Sequence, residues 1–177
     1  MQIVLVFSNR KAAYGLTRAE TADPPIPTHY LALQPYLKGA PDRTRTTYDA
    51  EVARIVLAAR PDLVVLAGWM HVFGDGFLGA VGELPVINLH PALPGAFDGT
   101  NAIERGYTAF QKGEVNTVGV MVHRVVKEVD RGEPVVVREV EIKKDEPLEA
   151  YEERLHRVEW EIIVEATRKV LDGVRPI

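Results

Sequence analysis

The sequence predicts an α/β layer fold with some antiparallel pairing late in the chain. Three observations predict it. Continuous β-branched and aliphatic runs, Ile3 to Phe7 and Leu63 to Ala67, read as strands buried on both faces. Amphipathic stretches separate and follow these runs. Late in the chain, two strand-like segments are joined by a short connection with turn chemistry.

Ile3 to Phe7 is closed by Ser8-Asn9, and Ala12 to Ala22 carries apolar residues at helical spacing, with Gly15 as its weak point. Asp23 to Pro41 holds five of the 12 prolines and reads as extended connection. Thr46 to Arg60 is a helix with Tyr48, Val52, Ile55, Val56 and Ala59 on one face. Pro61-Asp62 ends it and introduces Leu63 to Ala67. Gly68-Trp69-Met70-His71 then lies beyond the carboxyl end of that strand, where open α/β sheets bind ligands.

Val86 to His90 is a third strand, ended by Pro91, which holds His90 extended. Leu93 to Gly99 is a Pro/Gly loop. Asn101-Ala102-Ile103-Glu104 has capping-box spacing, so a helix is expected from there to about Lys112, closing at Gly113. Val115 to Val125 and Pro134 to Ile142 are strand-like, with a turn near Arg131-Gly132. Leu148 to Leu171 is a long amphipathic helix with Gly173 past its end.

The 177 residues fit one domain, with no internal repeat or linker in the pattern. Lys plus Arg is 21 against 25 for Asp plus Glu, a net charge of −4, too mild and mixed for a surface that binds nucleic acid by counterion release. No apolar run approaches the ~18 residues of a membrane helix, so no membrane partner is expected. The first residues lack the basic start and cleavage site of a secretory signal. With no cysteine, disulfides, thiol nucleophiles and thiolate metal sites are excluded. The expectation is a cytoplasmic domain.

The five histidines carry most of the chemical interest. His90 ends a buried strand two residues after Asn88, and strand alternation points both side chains into one space. An amide donor beside an imidazole suits a carbonyl that becomes an oxyanion. The same pair also reads as polar residues tying down a loop. Asp130, between two strands, is the carboxylate that would raise the His90 pKa and orient its ring, or a turn residue bonding its own backbone. His71 reads as a loop residue, His123 as a satisfied strand histidine and His29 as surface. His156 and Glu159 share one helical face, either as a solvated pair or as the wall of a substrate site. The scattered histidines give little support for a metal.

Asn88-Leu89-His90-Pro91-Ala92-Leu93-Pro94-Gly95 resembles the Asn-x-His-Pro-x-Leu-Leu-Pro signature of the folate-dependent formyltransferases. More narrowly, the chain resembles the phosphoribosylglycinamide (GAR) formyltransferases of fungi. Ala13 to Ala19, Ala67-Gly68-Trp69-Met70, Val122-His123, Glu128 to Pro134 and Tyr151-Glu152-Glu153-Arg154 follow in that family's order and spacing.

The resemblance implies a formyltransferase-type Rossmann-like fold, mainly parallel, in a single domain spanning 1–177. It implies transfer of formyl from the co-substrate 10-formyltetrahydrofolate to the amino group of GAR in purine biosynthesis, without a metal. Asn88 and His90 match the family's catalytic pair and Asp130 its aspartate. Asn88 would donate to the developing oxyanion, a contact of ~3–4 kcal/mol in the transition state. His90, kept protonated by Asp130, would stabilise that charge and protonate the departing nitrogen. Folate would be held by Met70, His71, Val72, Phe73, Asn88, Val126, Lys127, Glu128, Val129 and Asp130, and the glycinamide end by His156 and Glu159. A formyltetrahydrofolate hydrolase, a methionyl-tRNA formyltransferase or an inactive folate-binding fragment would share the core motif. A homodimer is among the oligomeric states left open.

The chain departs from that pattern twice. Its first recognisable unit is the family's second, and no Gly-rich phosphate loop occurs before Gly15. Ser8 and Asn9 are the only nearby polar residues to stand in for that loop, and weakened GAR binding is expected. Asn101 stands where many relatives carry a histidine, and is expected to cap the helix that follows.

Overall fold

A computed structural model describes residues 1–174. The chain divides into two compact units, residues 1–61 with 73–83, and residues 62–72 with 84 onward.

The first unit holds β1 (Val6–Ser8), α1 (Tyr14–Glu20), β2 (Thr28–Tyr30), α2 (Leu33–Lys38), α3 (Arg45–Ala58) and α4 (Asp75–Val81). β1 and β2 pair in parallel, Val6 opposite Thr28. Ile3 and Val4 stay outside the strand and are 55% and 38% exposed, against the expected double-faced burial, because β1 has one neighbour and starts at Val6. The proline-rich segment expected to be mere connection supplies both β2 and α2.

α3 opens on a reciprocal capping box, Thr44 Oγ1 accepting from Thr47 N and Thr47 Oγ1 from Thr44 N. Its buried face is Tyr48, Asp49, Val52 and Ala53. Tyr48 donates to the Leu31 carbonyl at 2.9 Å, and burial pushes its hydroxyl pKa up to about 12. The buried Asp49 carboxylate accepts the Gly74 N–H at 2.8 Å, at the N-terminus of α4. Gly76 must be glycine, since a Cβ there would run into the Thr46 carbonyl of α3.

The second unit is a four-stranded sheet ordered β3 (Val64–Leu66), β4 (Val86–His90), β5 (Gly119–Arg124), β6 (Pro134–Glu139), with α5 (Ala102–Gln111) and the long α6 (Leu148–Val174). β3 and β4 are parallel, while β4–β5 and β5–β6 are antiparallel, so the expected late antiparallel pairing is present. β3 is an edge strand of this sheet, which leaves Val65 37% exposed where full burial was expected.

The core joins Ile87, Val120, Val122 and Val136 to Tyr151, Leu155, Ile162 and Ala166 of α6. Each fully buried aliphatic side chain contributes roughly 1.5–3 kcal/mol. α6 runs through Gly173, which does not end it as expected. Asn101 precedes α5 in the left-handed region (φ 56°) and makes no side-chain cap. The expected capping box is therefore absent; Arg105 N bonds the Asn101 carbonyl and starts the helix through the backbone.

Candidate active site

The ends of β4 and β5 and the turn after β5 converge on one polar cluster. Antiparallel register sets Asn88 opposite His123 and His90 opposite Met121. Asn88 Nδ2 lies 3.2 Å from His123 Nε2, and His123 Nδ1 lies 2.8 Å from the Arg124 carbonyl. A carbonyl can only accept, so His123 carries its proton on Nδ1 and offers the Nε2 lone pair to the Asn88 amide. One amide hydrogen is thereby committed and the second, with Oδ1, remains for another partner.

Asp130 completes the cluster. The chain turns between Glu128 and Arg131, whose N–H bonds the Glu128 carbonyl, and Asp130 takes a left-handed conformation there (φ 57°). Its Oδ1 is 3.5 Å from His123 Nε2 and its Oδ2 is 3.5 Å from His90 Nδ1, beyond a good hydrogen bond but near enough for the carboxylate to act on both rings. Oδ2 also accepts the Gly99 N–H at 2.8 Å. Gly132 permits the close approach of this turn: a Cβ there would coincide with the Arg124 carbonyl and sit 3.3 Å from His123 Nδ1.

His90 is 3% exposed, and burial pulls its pKa below the usual imidazole value. The Asp130 charge, the Ala96 carbonyl and, more weakly, Asp98 push the other way without overcoming burial; His123 adds to the lowering. Burial thus works against the expectation of an imidazole kept protonated by Asp130: desolvation outweighs the carboxylate, and the ring gives up its proton more readily than an ordinary imidazole. With Nδ1 facing Asp130, the lone pair is on Nε2, which is buried and has no hydrogen-bond partner. An acceptor held dry and unused is suited to taking up a proton.

The structure brings Asn88, His90 and Asp130 together and adds His123, which the strand pattern had read as merely satisfied. Its signal was the cross-strand register with Asn88. Met70, Val72, Val126 and Val129 are 63%, 49%, 42% and 41% exposed, so both segments expected at the folate present apolar side chains to solvent. His71 is half-buried and edge-on to Trp69; Lys127 and Glu128 are exposed. Phe73 is buried in the first unit, stacked on Phe77 with ring centroids 3.7 Å apart.

His156 Nδ1 and Glu159 Oε2 form a 2.7 Å pair on α6. Ser8 Oγ both accepts from Arg10 N and donates to its carbonyl, closing a local turn beside half-buried Asn9. A hollow of about 530 Å³ lined by Tyr107, Thr108, Gln111, Lys112, Asp145 and Glu146 includes none of these residues. Among the described residues no group of three or more His, Asp or Glu is arranged to hold a metal ion.

A profile of the family described as Formyl transferase matches residues 1–167. The chain is 47% identical to the phosphoribosylglycinamide formyltransferase of Saccharomyces cerevisiae, over 96% of this chain and 83% of that protein. It is 46% identical to the enzyme of the same name from Schizosaccharomyces pombe, over 94% and 81%. The crystal structure of glycinamide ribonucleotide transformylase 1 from Symbiobacterium toebii superposes with a TM-score of 0.84 at 31% identity, over 97% of this chain and 75% of that one. Agreement of this extent, from β1 to well into α6, carries one conclusion: this chain belongs to the formyltransferase family.

Proposed function

We propose that this chain transfers the formyl group of 10-formyltetrahydrofolate to the amino group of GAR, a step of purine biosynthesis. The observation that carries the chemistry is the buried, unpartnered Nε2 of His90, on a ring whose Nδ1 faces Asp130.

The neutral amine attacks the formyl carbon, and a C–N bond forms as the carbonyl oxygen becomes anionic. The uncommitted Asn88 amide hydrogen donates to that oxygen, held in place because His123 occupies the other. The attacking nitrogen must lose a proton, and neutral His90 Nε2 takes it. The imidazolium so formed faces Asp130, whose charge favours it only once the proton has arrived. His90 then protonates the folate nitrogen as its bond to the former formyl carbon breaks, releasing tetrahydrofolate and N-formyl-GAR. Proton and charge both balance within the cluster.

The exposed apolar side chains at Met70, Val72, Val126 and Val129 support a pterin-binding role for those two segments. The His156–Glu159 pair supports recognition of the glycinamide end, with a carboxylate able to accept from its N–H groups. The test is direct: purified chain, GAR and 10-formyltetrahydrofolate should yield tetrahydrofolate and formyl-GAR in equal amounts. Tetrahydrofolate appearing with free formate, independent of GAR, would instead identify a hydrolase.

A further inference from the structure

We infer that Asp98 and Arg131 are positioning residues, a charged clasp that ties the loop after His90 to the turn carrying Asp130 and sets the spacing of those two groups. The functional consequence rests on the formyl-transfer reading; the geometry does not. Arg131 Nη2 meets Asp98 Oδ2 at 2.5 Å, and its guanidinium lies over Gly95, with Nη1 3.9 Å from where a Cβ on that glycine would stand. Asp98 is held from behind, its carbonyl accepting from Arg105 Nη1 at 2.9 Å. One residue on, Gly99 N–H bonds Asp130 Oδ2. Two successive residues of one loop, Asp98 and Gly99, thus grip two successive residues of the other, Asp130 and Arg131.

The gripped segments are not relaxed chain. Phe97, Asn101 and Asp130 all sit at positive φ (51°, 56° and 57°), a conformation non-glycine side chains keep when their surroundings impose it. Asp98 is also no ordinary surface partner, because its Oδ1 is buried without a donor while only Oδ2 is paired. Its charge reaches the His90 ring, which faces Asp130, His123 and the Ala96 carbonyl besides. A surface ion pair of no consequence would have none of these attachments.

The clasp predicts the same effect from its two ends. In the full-length chain, Asp98→Asn removes a negative charge acting on His90 and loosens the turn, so the ring should titrate at still lower pH. Arg131→Gln releases the turn that carries Asp130 and weakens the hold of that carboxylate on the ring, which should also titrate at lower pH. Histidine NMR titration of the free protein reads this without substrate. In steady-state kinetics each substitution should lower kcat about 10-fold, with KM for the folate within about 2-fold, since misplacing a reacting group chiefly costs turnover. The double variant should be no slower than the slower single one, and Arg131→Lys should recover most of the loss. A ring that titrates unchanged or at higher pH in either variant, or rate losses that multiply, would overturn the clasp. If the ring shifts as expected but the wild-type chain forms no formyl-GAR, the clasp stands and the formyl-transfer reading fails.

Discussion

Two histidine–carboxylate pairs occupy very different places in this molecule. On α6, His156 and Glu159 are 2.7 Å apart with the imidazole side chain 47% exposed. At the strand ends, His90 and Asp130 are 3.5 Å apart with side chains 4% and 9% exposed. The shorter contact is the weaker electrostatic object, because water screens it and both side chains lose rotamer freedom to keep it. The longer one acts through a medium of low dielectric, where a charge a little farther away still dominates its neighbour. Ranking ionisable pairs by distance would pick the α6 pair over the one proposed to carry the proton transfer.

Substitution should separate the pairs sharply. His90→Ala removes the proton acceptor and should lower kcat by roughly 10²–10⁴-fold with the melting temperature little changed, measured by GAR-dependent turnover and thermal denaturation. An equal loss from His156→Ala would erase the contrast. Asn88→Ala comes next, with roughly 10²–10³-fold lost from kcat as the oxyanion loses its donor. His123→Phe keeps a ring in the strand but leaves the Asn88 amide unanchored; about 10- to 100-fold in kcat is expected, with substrate KM values little moved. A His123→Phe variant as active as wild type would remove this histidine from the account.

The pH dependence sharpens the same comparison. Protonating His90 abolishes its capacity as a base, and burial disfavours that protonation, so kcat/KM should rise from acid and level off below the ordinary imidazole value of ~6.5. A limb centred above that value would mean that Asp130, not burial, controls the ring. Linkage gives a matching sign for stability. The folded chain binds this proton less readily than the unfolded chain, so the His90 contribution is present above ~6.5 and is lost as pH falls toward the lower folded pKa. The smallest effect belongs to α6: breaking its exposed pair with His156→Ala should change stability by less than about 1 kcal/mol and act mainly on KM for GAR.

β4 was legible to the residue because its signals are local: a β-branched start, alternating side chains and a proline stop. α3 and the strand character of β5 and β6 were legible for the same kind of reason. What escaped depended on contacts remote in sequence. α4 is entered through Gly74-Asp75-Gly76, poor helix-forming sequence whose N-cap amide is held by Asp49, 25 residues earlier. β2 takes its identity from pairing with β1 across a segment that reads as proline-rich connection. At the site, Asn88 and His90 could be paired by alternation alone, but the role of His123 needed the antiparallel register. The protonation of His90 needed the balance of burial against charge, which no spacing encodes.

A single hydrogen atom at position 132 governs how tightly the site is drawn together. Because Gly132 has no side chain, the turn lies flat against the carbonyl that dictates which nitrogen of His123 holds its proton. A methyl group there would push the two strands' connection outward, freeing that ring to move its proton to Nε2 and present a donor to Asn88. The amide would then have to swing round, offering oxygen where it had offered hydrogen. Which polar group Asn88 presents thus depends on the smallest residue in the turn, one that bonds to neither side chain.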